Sequence, residues 1–209
     1  MKRVLVLLLM CLLLVSCNTI NYEVSNKEEP SPDTEQSCYA LVVKDIDNQY
    51  MHTMFRGFKI ACAEMGIDAI MLGPDKDSNV NQSQLISELI EKKIDGIAVA
   101  ANNSNEIKSD LQRAISSGIA VVSLDSPVYP EDRSVHIQQA SPEIIGRILI
   151  QAGAEMINNE GEIAILTTTE TMPNQRSWVN WMLRELNENK EKYSNIQLVE
   201  VAYGHDNET

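Results

Sequence analysis

The sequence predicts an α/β protein: a doubly wound parallel sheet in a flavodoxin-like lobe, followed by an incomplete second α/β lobe. Three observations predict it. The stretch Gly118–Pro127, GIAVVSLDSP, is apolar from Ile119 to Val122 and again at Leu124, then stops on Asp125, as a strand buried on both faces by helices would. Similar runs recur roughly every 25 residues, the spacing of a strand plus one crossover helix. Each run also ends in polar or turn residues, so the strand ends share one edge, where ligands of open α/β sheets sit.

The first strand is expected over Tyr39–Val43, ending at Lys44-Asp45. A helical stripe of Met54, Phe58, Ala61, Cys62 and Met65 follows and is closed by Gly66. The second strand is read at Ile67–Met71, before Gly73-Pro74, and the second helix from Leu85, Ile86, Leu89 and Ile90. Gly96–Ala100 is the third strand, ending at Asn102-Asn103, and Ile107, Leu111, Ala114 and Ile115 mark a third helix that stops at Gly118. After Asp125 comes a polar, proline-containing interruption at Tyr129–Asp132 and a short extended piece at Ser134–Ile137. Ser141-Pro142 supplies an N-cap and a proline at the first helical position, opening a helix whose inner face is expected to be Ile145, Ile148, Leu149, Ala152 and Met156. A further unit follows: a strand at Ile163–Leu166, a helix striped by Trp178, Trp181, Met182 and Leu186, and a strand at Ile196–Val201. No internal repeat is visible. Two full lobes of this kind need roughly 250 to 300 residues, so the second is expected to be truncated at Thr209.

The N-terminus carries a different signal. Lys2-Arg3, the apolar run Val4–Val15 and then Ser16-Cys17 read as a signal peptide over residues 1–16, too short for a bilayer span. The pattern resembles the lipobox of bacterial lipoproteins, which implies that Cys17 is lipidated and becomes the mature N-terminus; an ordinary leader with an incidental cysteine is the alternative. Residues 17–37 are polar, with two prolines and no apolar period, and read as a disordered tether. Residues 38–140 are the expected N-terminal lobe and 141–209 the start of the second. Of four cysteines, Cys11 leaves with the leader and Cys17 is the lipid site. An exported chain permits a Cys38–Cys62 bridge, but the place of Cys62 on its helical stripe favours a buried free thiol.

The formal net charge of −13 excludes nucleic acid as a partner by simple repulsion. No Gly-x-Gly-x-x-Gly, P-loop or Gly-x-Ser-x-Gly motif is present, and His52, His136 and His205 lie in separate elements at no metal-ligand spacing, so neither an enzyme nor a cofactor is expected. What remains are hydrogen-bonding residues at strand ends. Lys44 and Asp125 fall on the edge of one lobe, Asn174 and Gln175 on the edge of the other. A lysine donor, a carboxylate acceptor and two amides that do both suit a polyhydroxylated ligand. Their plainer reading is surface turns for Lys44 and Asp125 and a helix cap for Asn174.

The same residues carry a family resemblance. Asn48-Gln49-Tyr50-Met51 ahead of Phe55-Arg56-Gly57, Asp95-Gly96-Ile97-Ala98-Val99, Leu124-Asp125-Ser126, Gln138-Gln139-Ala140-Ser141, Asn174-Gln175-Arg176-Ser177-Trp178 and Tyr203-Gly204-His205-Asp206 stand in an order and spacing similar to the type I periplasmic binding proteins. Within them, the run resembles the branch that includes rhamnose- and autoinducer-2-binding lipoproteins of ABC importers. The resemblance implies a non-enzymatic, extracytoplasmic and membrane-anchored receptor for an ABC importer, handing its ligand to a membrane permease. It implies that Lys44, Asp125, Asn174 and Gln175 hydrogen-bond a small sugar between two lobes, with Tyr50 against the ring. Asn174 stands where autoinducer-2 binders typically carry aspartate, which tilts the expectation toward a neutral sugar. Met51, in place of a frequent aromatic, reads as ordinary core. The alternatives are a truncated, non-binding remnant of such a receptor and a ligand sensor for a membrane histidine kinase.

Overall fold

The computed structural model describes residues 37–75, 77 and 79–204. The predicted leader, Cys17, nearly all of the tether and the His205-Asp206 pair lie outside them. Strands β1 (Cys38–Val42), β2 (Asp68–Leu72), β3 (Gly96–Val99), β4 (Ala120–Leu124) and β5 (Val135–Ile137) form one sheet in the order β2-β1-β3-β4-β5, with every pair parallel. Helices α1 (Gln49–Glu64), α2 (Gln82–Glu91) and α3 (Lys108–Ser116) make the first three crossovers. A short 3₁₀ turn at Pro130–Asp132 leads into β5, so the extended piece after Asp125 becomes an edge strand of this sheet. The doubly wound class is as the sequence predicts.

Alternation along the central strands divides the core. Ala40, Val42, Ile97, Val99 and Val121 face α2 and α3 through Ile86, Leu89, Leu111 and Ala114. Leu41, Val43, Ala98 and Ala100 face Met51 of α1, with Met54, Phe55 and Phe58 packed around them. Covering both faces explains why these strands read as unbroken apolar runs. Fully burying each such leucine, isoleucine or valine contributes about 1.5 to 3 kcal/mol. Helix α1 is turned from its expected stripe. Met51, Phe55, Phe58 and Cys62 recur at i, i+4, i+7 and i+11 on the packed side, whereas Ala61 and Met65 are exposed. Asn48 sets this entry angle by accepting the backbone N–H groups of Tyr50 and Met51. Cys62 is buried and both Cys38 and Cys62 are free thiols.

Strands β6 (Gly161–Thr167) and β7 (Ile196–Tyr203) form a second, parallel sheet, with a bulge that leaves Val199 without a partner in the register. Helices α4 (Pro142–Met156) and α5 (Pro173–Glu188) bury Ile150, Ala154, Val179 and Met182 against Ile165. Here the expected inner face of α4 is corrected. Gly146, Ile150 and Ala154 are buried, while Ile148 and Leu149 are half exposed and Met156 is 85% exposed. The cause is a close helix approach. A Cβ on Gly146 would meet Trp181 Cβ at 2.5 Å, the Trp178 carbonyl oxygen at 2.7 Å and the Met182 nitrogen at 2.9 Å, so α5 docks on the Gly146 side and leaves Ile148, Leu149 and Met156 outward.

Beside that contact, Arg147 reaches Glu143 at 2.9 Å, Glu185 at 2.8 Å and Glu188 at 2.7 Å, and lies over the Trp181 ring. Glu185 is buried and also accepts from Gln151 and Tyr193. Burial pushes its carboxyl pKa up, but the donors from Arg147, Gln151 and Tyr193 together outweigh it and hold the group below the usual carboxylate range.

Two outcomes follow from this packing. Gly146→Ala should lose about 1 to 3 kcal/mol in urea unfolding despite alanine's better helix propensity, because backbone atoms cannot yield. Gly153→Ala on the same helix, where nothing lies within 4 Å of the new Cβ, should gain about 0.5 to 1 kcal/mol. A depressed folded-state pKa contributes stability above the unfolded value and loses it as pH falls through the folded one. The thermal midpoint should therefore drop below about pH 4, and less steeply in Glu185→Gln.

Candidate ligand-binding site

Parallel pairing puts the C-terminal ends of β1, β3 and β4 on one edge, and the strand order reverses between β1 and β3. Lys44 follows β1 at that point. Gln82, the first residue of α2, donates from Nε2 to the carbonyl oxygens of Val43 (2.9 Å) and Ala100 (2.8 Å), and its Oε1 accepts the Asn102 N–H at 2.8 Å. Asn102 Nδ2 then donates to the Lys44 carbonyl at 2.9 Å. These bonds clamp the ends of β1 and β3 and fix the stem of Lys44.

Asp125 sits just past β4 in the left-handed backbone region, φ +58°, which aspartate tolerates better than branched residues. The Ser126 N–H closes a tight turn onto the Leu124 carbonyl at 2.6 Å, aiming the carboxylate back across the sheet edge. Lys44 Nζ lies 2.6 Å from Asp125 Oδ2, with both side chains 5% exposed. The approach is an ion pair rather than an aligned hydrogen bond, so Oδ2 keeps hydrogen-bonding capacity. Oδ1 accepts from Gln139 at 2.8 Å, in the segment that leads from β5 to α4.

Asn174, in the first turn of α5, completes a ring. Its Oδ1 accepts from Lys44 Nζ at 3.3 Å, and its Nδ2 donates to Asp125 Oδ1 at 3.3 Å. The same Oδ1 also accepts the Gln175 N–H at 2.9 Å. The Gln175 side chain turns toward the second sheet, accepting from Thr167 Oγ1 at 3.1 Å. Tyr50, at the start of α1, is half exposed; burial first and the Asp125 charge second push its phenol pKa up, so the ring shares the Asp125 field.

The structure thus joins three of the sequence-predicted residues, Lys44, Asp125 and Asn174, in direct contact, with Gln175 and Tyr50 at the margin. Lys44 and Asp125 are buried partners rather than surface turns. Sequence reasoning missed Gln82, Asn102 and Gln139 as supports. Gln82 had a faint signal: Asn81-Gln82-Ser83-Gln84 has capping-box spacing, and Asn81 and Gln84 do form that box, which fixes Gln82 at the helix start.

The periplasmic binding protein domain family matches residues 39–209. Among solved structures, an ABC transporter solute-binding protein from Clostridium phytofermentas with bound L-rhamnose is 30% identical at a TM-score of 0.76, over 82% of this chain and 53% of that one. A solute-binding protein from Burkholderia graminis in complex with D-arabinose is 26% identical at a TM-score of 0.73, over 85% and 59%. LsrB from Clostridium saccharobutylicum in complex with AI-2 shares the fold at 21% identity and a TM-score of 0.67, over 79% and 53%. The chain therefore spans a little over half the length of these solved relatives.

Removing one member of a buried ion pair strands the other charge, at a cost of about 3 to 5 kcal/mol. Lys44→Met should lower stability by that order in urea unfolding, and Lys44→Met with Asp125→Asn should recover most of it, since asparagine also accepts the left-handed backbone. Equal midpoints for Lys44→Met and the unsubstituted protein would remove the pair's structural role.

Proposed function

Because the chain belongs to the periplasmic binding protein domain family, we propose that it captures a small sugar between two α/β lobes, residues 38–140 and 141–209. The observation that carries this is the Lys44–Asp125–Asn174 ring, a cation, an anion and an amide held at the edge where two sheets converge. The bound sugars of the rhamnose and arabinose relatives support the ligand class.

The distances support a mechanism of exchange. Within the first lobe the Lys44–Asp125 ion pair is close, at 2.6 Å; both side-chain hydrogen bonds from Asn174 to the first lobe are 3.3 Å, long for their kind. A ligand hydroxyl that donates to Asp125 and accepts from Lys44 replaces the two weak bonds and leaves the strong one. Asn174 and Gln175 then bond further hydroxyls from the opposite wall, and Tyr50 lies against the ring's apolar face. Burying these groups as the lobes close excludes water and strengthens each bond. No covalent bond is made or broken. In this reading the receptor is extracytoplasmic, anchored through a lipid on Cys17 by the 17–37 tether, and delivers its ligand to the permease of an ABC importer.

Calorimetric titration of the protein with L-rhamnose, D-arabinose and autoinducer-2 tests the assignment. A neutral sugar should bind, and Asn174→Ala or Gln175→Ala should weaken it at least about tenfold, the worth of one or two hydrogen bonds to a ligand. Absence of binding to every sugar, or unchanged affinity in both variants, would overturn it.

A further inference from the structure

A second crevice of about 420 Å³ opens between the two sheets, apart from the Lys44–Asp125–Asn174 ring. One wall is the loop after β3 with the β4-to-β5 connection, and the other is the first two turns of α5. Arg133 belongs to the first wall and Arg176 to the second. The remaining polar lining is made of neutral groups, chiefly Asn103, Asn105, Ser177 and Asn180. No carboxylate lines it.

Neither arginine makes an ion pair among the described residues, whereas Arg113, Arg147 and Arg184 all do. Arg133 is oriented instead by its Nε donating to the Val128 carbonyl at 3.1 Å, leaving its terminal nitrogens for other partners. Two acidic residues, Glu131 and Asp132, precede Arg133 in the chain, and neither forms an ion pair with it among the described residues. Glu131 is engaged by Lys108 at 2.9 Å, and Asp132 is fully buried, facing Gln112 at 2.9 Å. Glu170 lines a neighbouring crevice that also touches Arg176, without pairing to it.

The first wall is also fixed in shape. Tyr129 Oη donates to Asn105 Oδ1 at 2.7 Å, its ring lies 4.6 Å from Lys108 Nζ, and Ser104 Oγ donates to the Pro127 carbonyl at 2.9 Å. A partly exposed aromatic face, amides and guanidinium groups together suit a hydroxylated body that carries a negative group. Two like charges brought together by converging walls repel one another, and an oxyanion between them reverses the sign of that interaction.

We propose that this crevice is a second binding site, for a small hydroxylated molecule carrying an oxyanion, carboxylate or phosphate, which bridges Arg133 of one wall and Arg176 of the other. The site uses none of the residues assigned to neutral-sugar capture, so either proposal can fail without the other.

The test is calorimetry on the full chain with D-glucuronate, D-glucose 6-phosphate and D-glucose as probes. At least one of the two anions should bind about tenfold more tightly than glucose, with affinity falling as ionic strength rises; which one binds identifies the oxyanion. Arg176→Gln and Arg133→Gln should each weaken that anion about tenfold and leave titration with L-rhamnose unchanged. Both variants lie on the surface of the crevice, and circular dichroism should show their native fold. Anions that bind no better than glucose, or an affinity indifferent to both substitutions, would overturn the proposal.

Discussion

The Lys44–Asp125 ion pair is the constraint around which the sheet edge is arranged. It joins Lys44, two residues past β1, to Asp125, the residue after β4, across the intervening end of β3, at 2.6 Å and nearly out of contact with water. Charges so buried are tolerable only when their remaining hydrogen-bonding groups are served. Hence the clamp of Gln82 and Asn102 behind Lys44, and the Gln139 amide and the left-handed turn behind Asp125. Each support comes from a different crossover or connection, so the pair is held only when β1, β3, β4 and the segment after β5 are all in register. The geometry of the site and the topology of the sheet are one requirement.

Much of this was legible in the sequence because parallel strands buried on both faces leave a plain trace: short apolar runs, each punctuated by a polar end. Lys44 and Asp125 stood out as the punctuation. Asn174 was legible as a polar residue at the edge of the second lobe, but there an amide in a helix's first turn reads equally well as a cap. What the sequence hid was the supporting layer. Gln82 and Gln139 look like solvent-facing amides, and nothing in their neighbours' polarity tells that their side chains reach Val43, Ala100 and Asp125.

Helix α4 misled for a related reason. Its branched residues form a regular stripe, and apolar periodicity takes the stripe to be the buried face. Packing on α5 is instead decided by Gly146 and Ala154, whose small side chains let the helices approach. A hydrophobic stripe measures what is favourable to bury; a small-residue stripe measures how closely a neighbour can come. When both occur on one helix, the second decides which neighbour is taken. Leu166 and Val199 of the second sheet, like Ile148 and Met156, remain exposed.

Strength is unevenly distributed across the ring, and this matters more than its composition. Had the Asn174 contacts been as short as the Lys44–Asp125 contact, a ligand would have to break bonds at full strength to enter, and its own hydrogen bonds would gain little on exchange. Had Asn174 made no contact, the first turn of α5 would lose its hydrogen bonds to Lys44 and Asp125. Two bonds of 3.3 Å lie between these limits: they link α5 to the first sheet edge at the low end of the about 1.5 to 3 kcal/mol of hydrogen bonds to charged groups, and a hydroxyl facing the same two charges can replace them. In the proposed exchange the Lys44–Asp125 pair remains intact, so the strand ends would need no rearrangement. The ring's strong contact therefore lies within the first sheet and its weak contacts between the two, the division that the proposed capture and release of a small solute require.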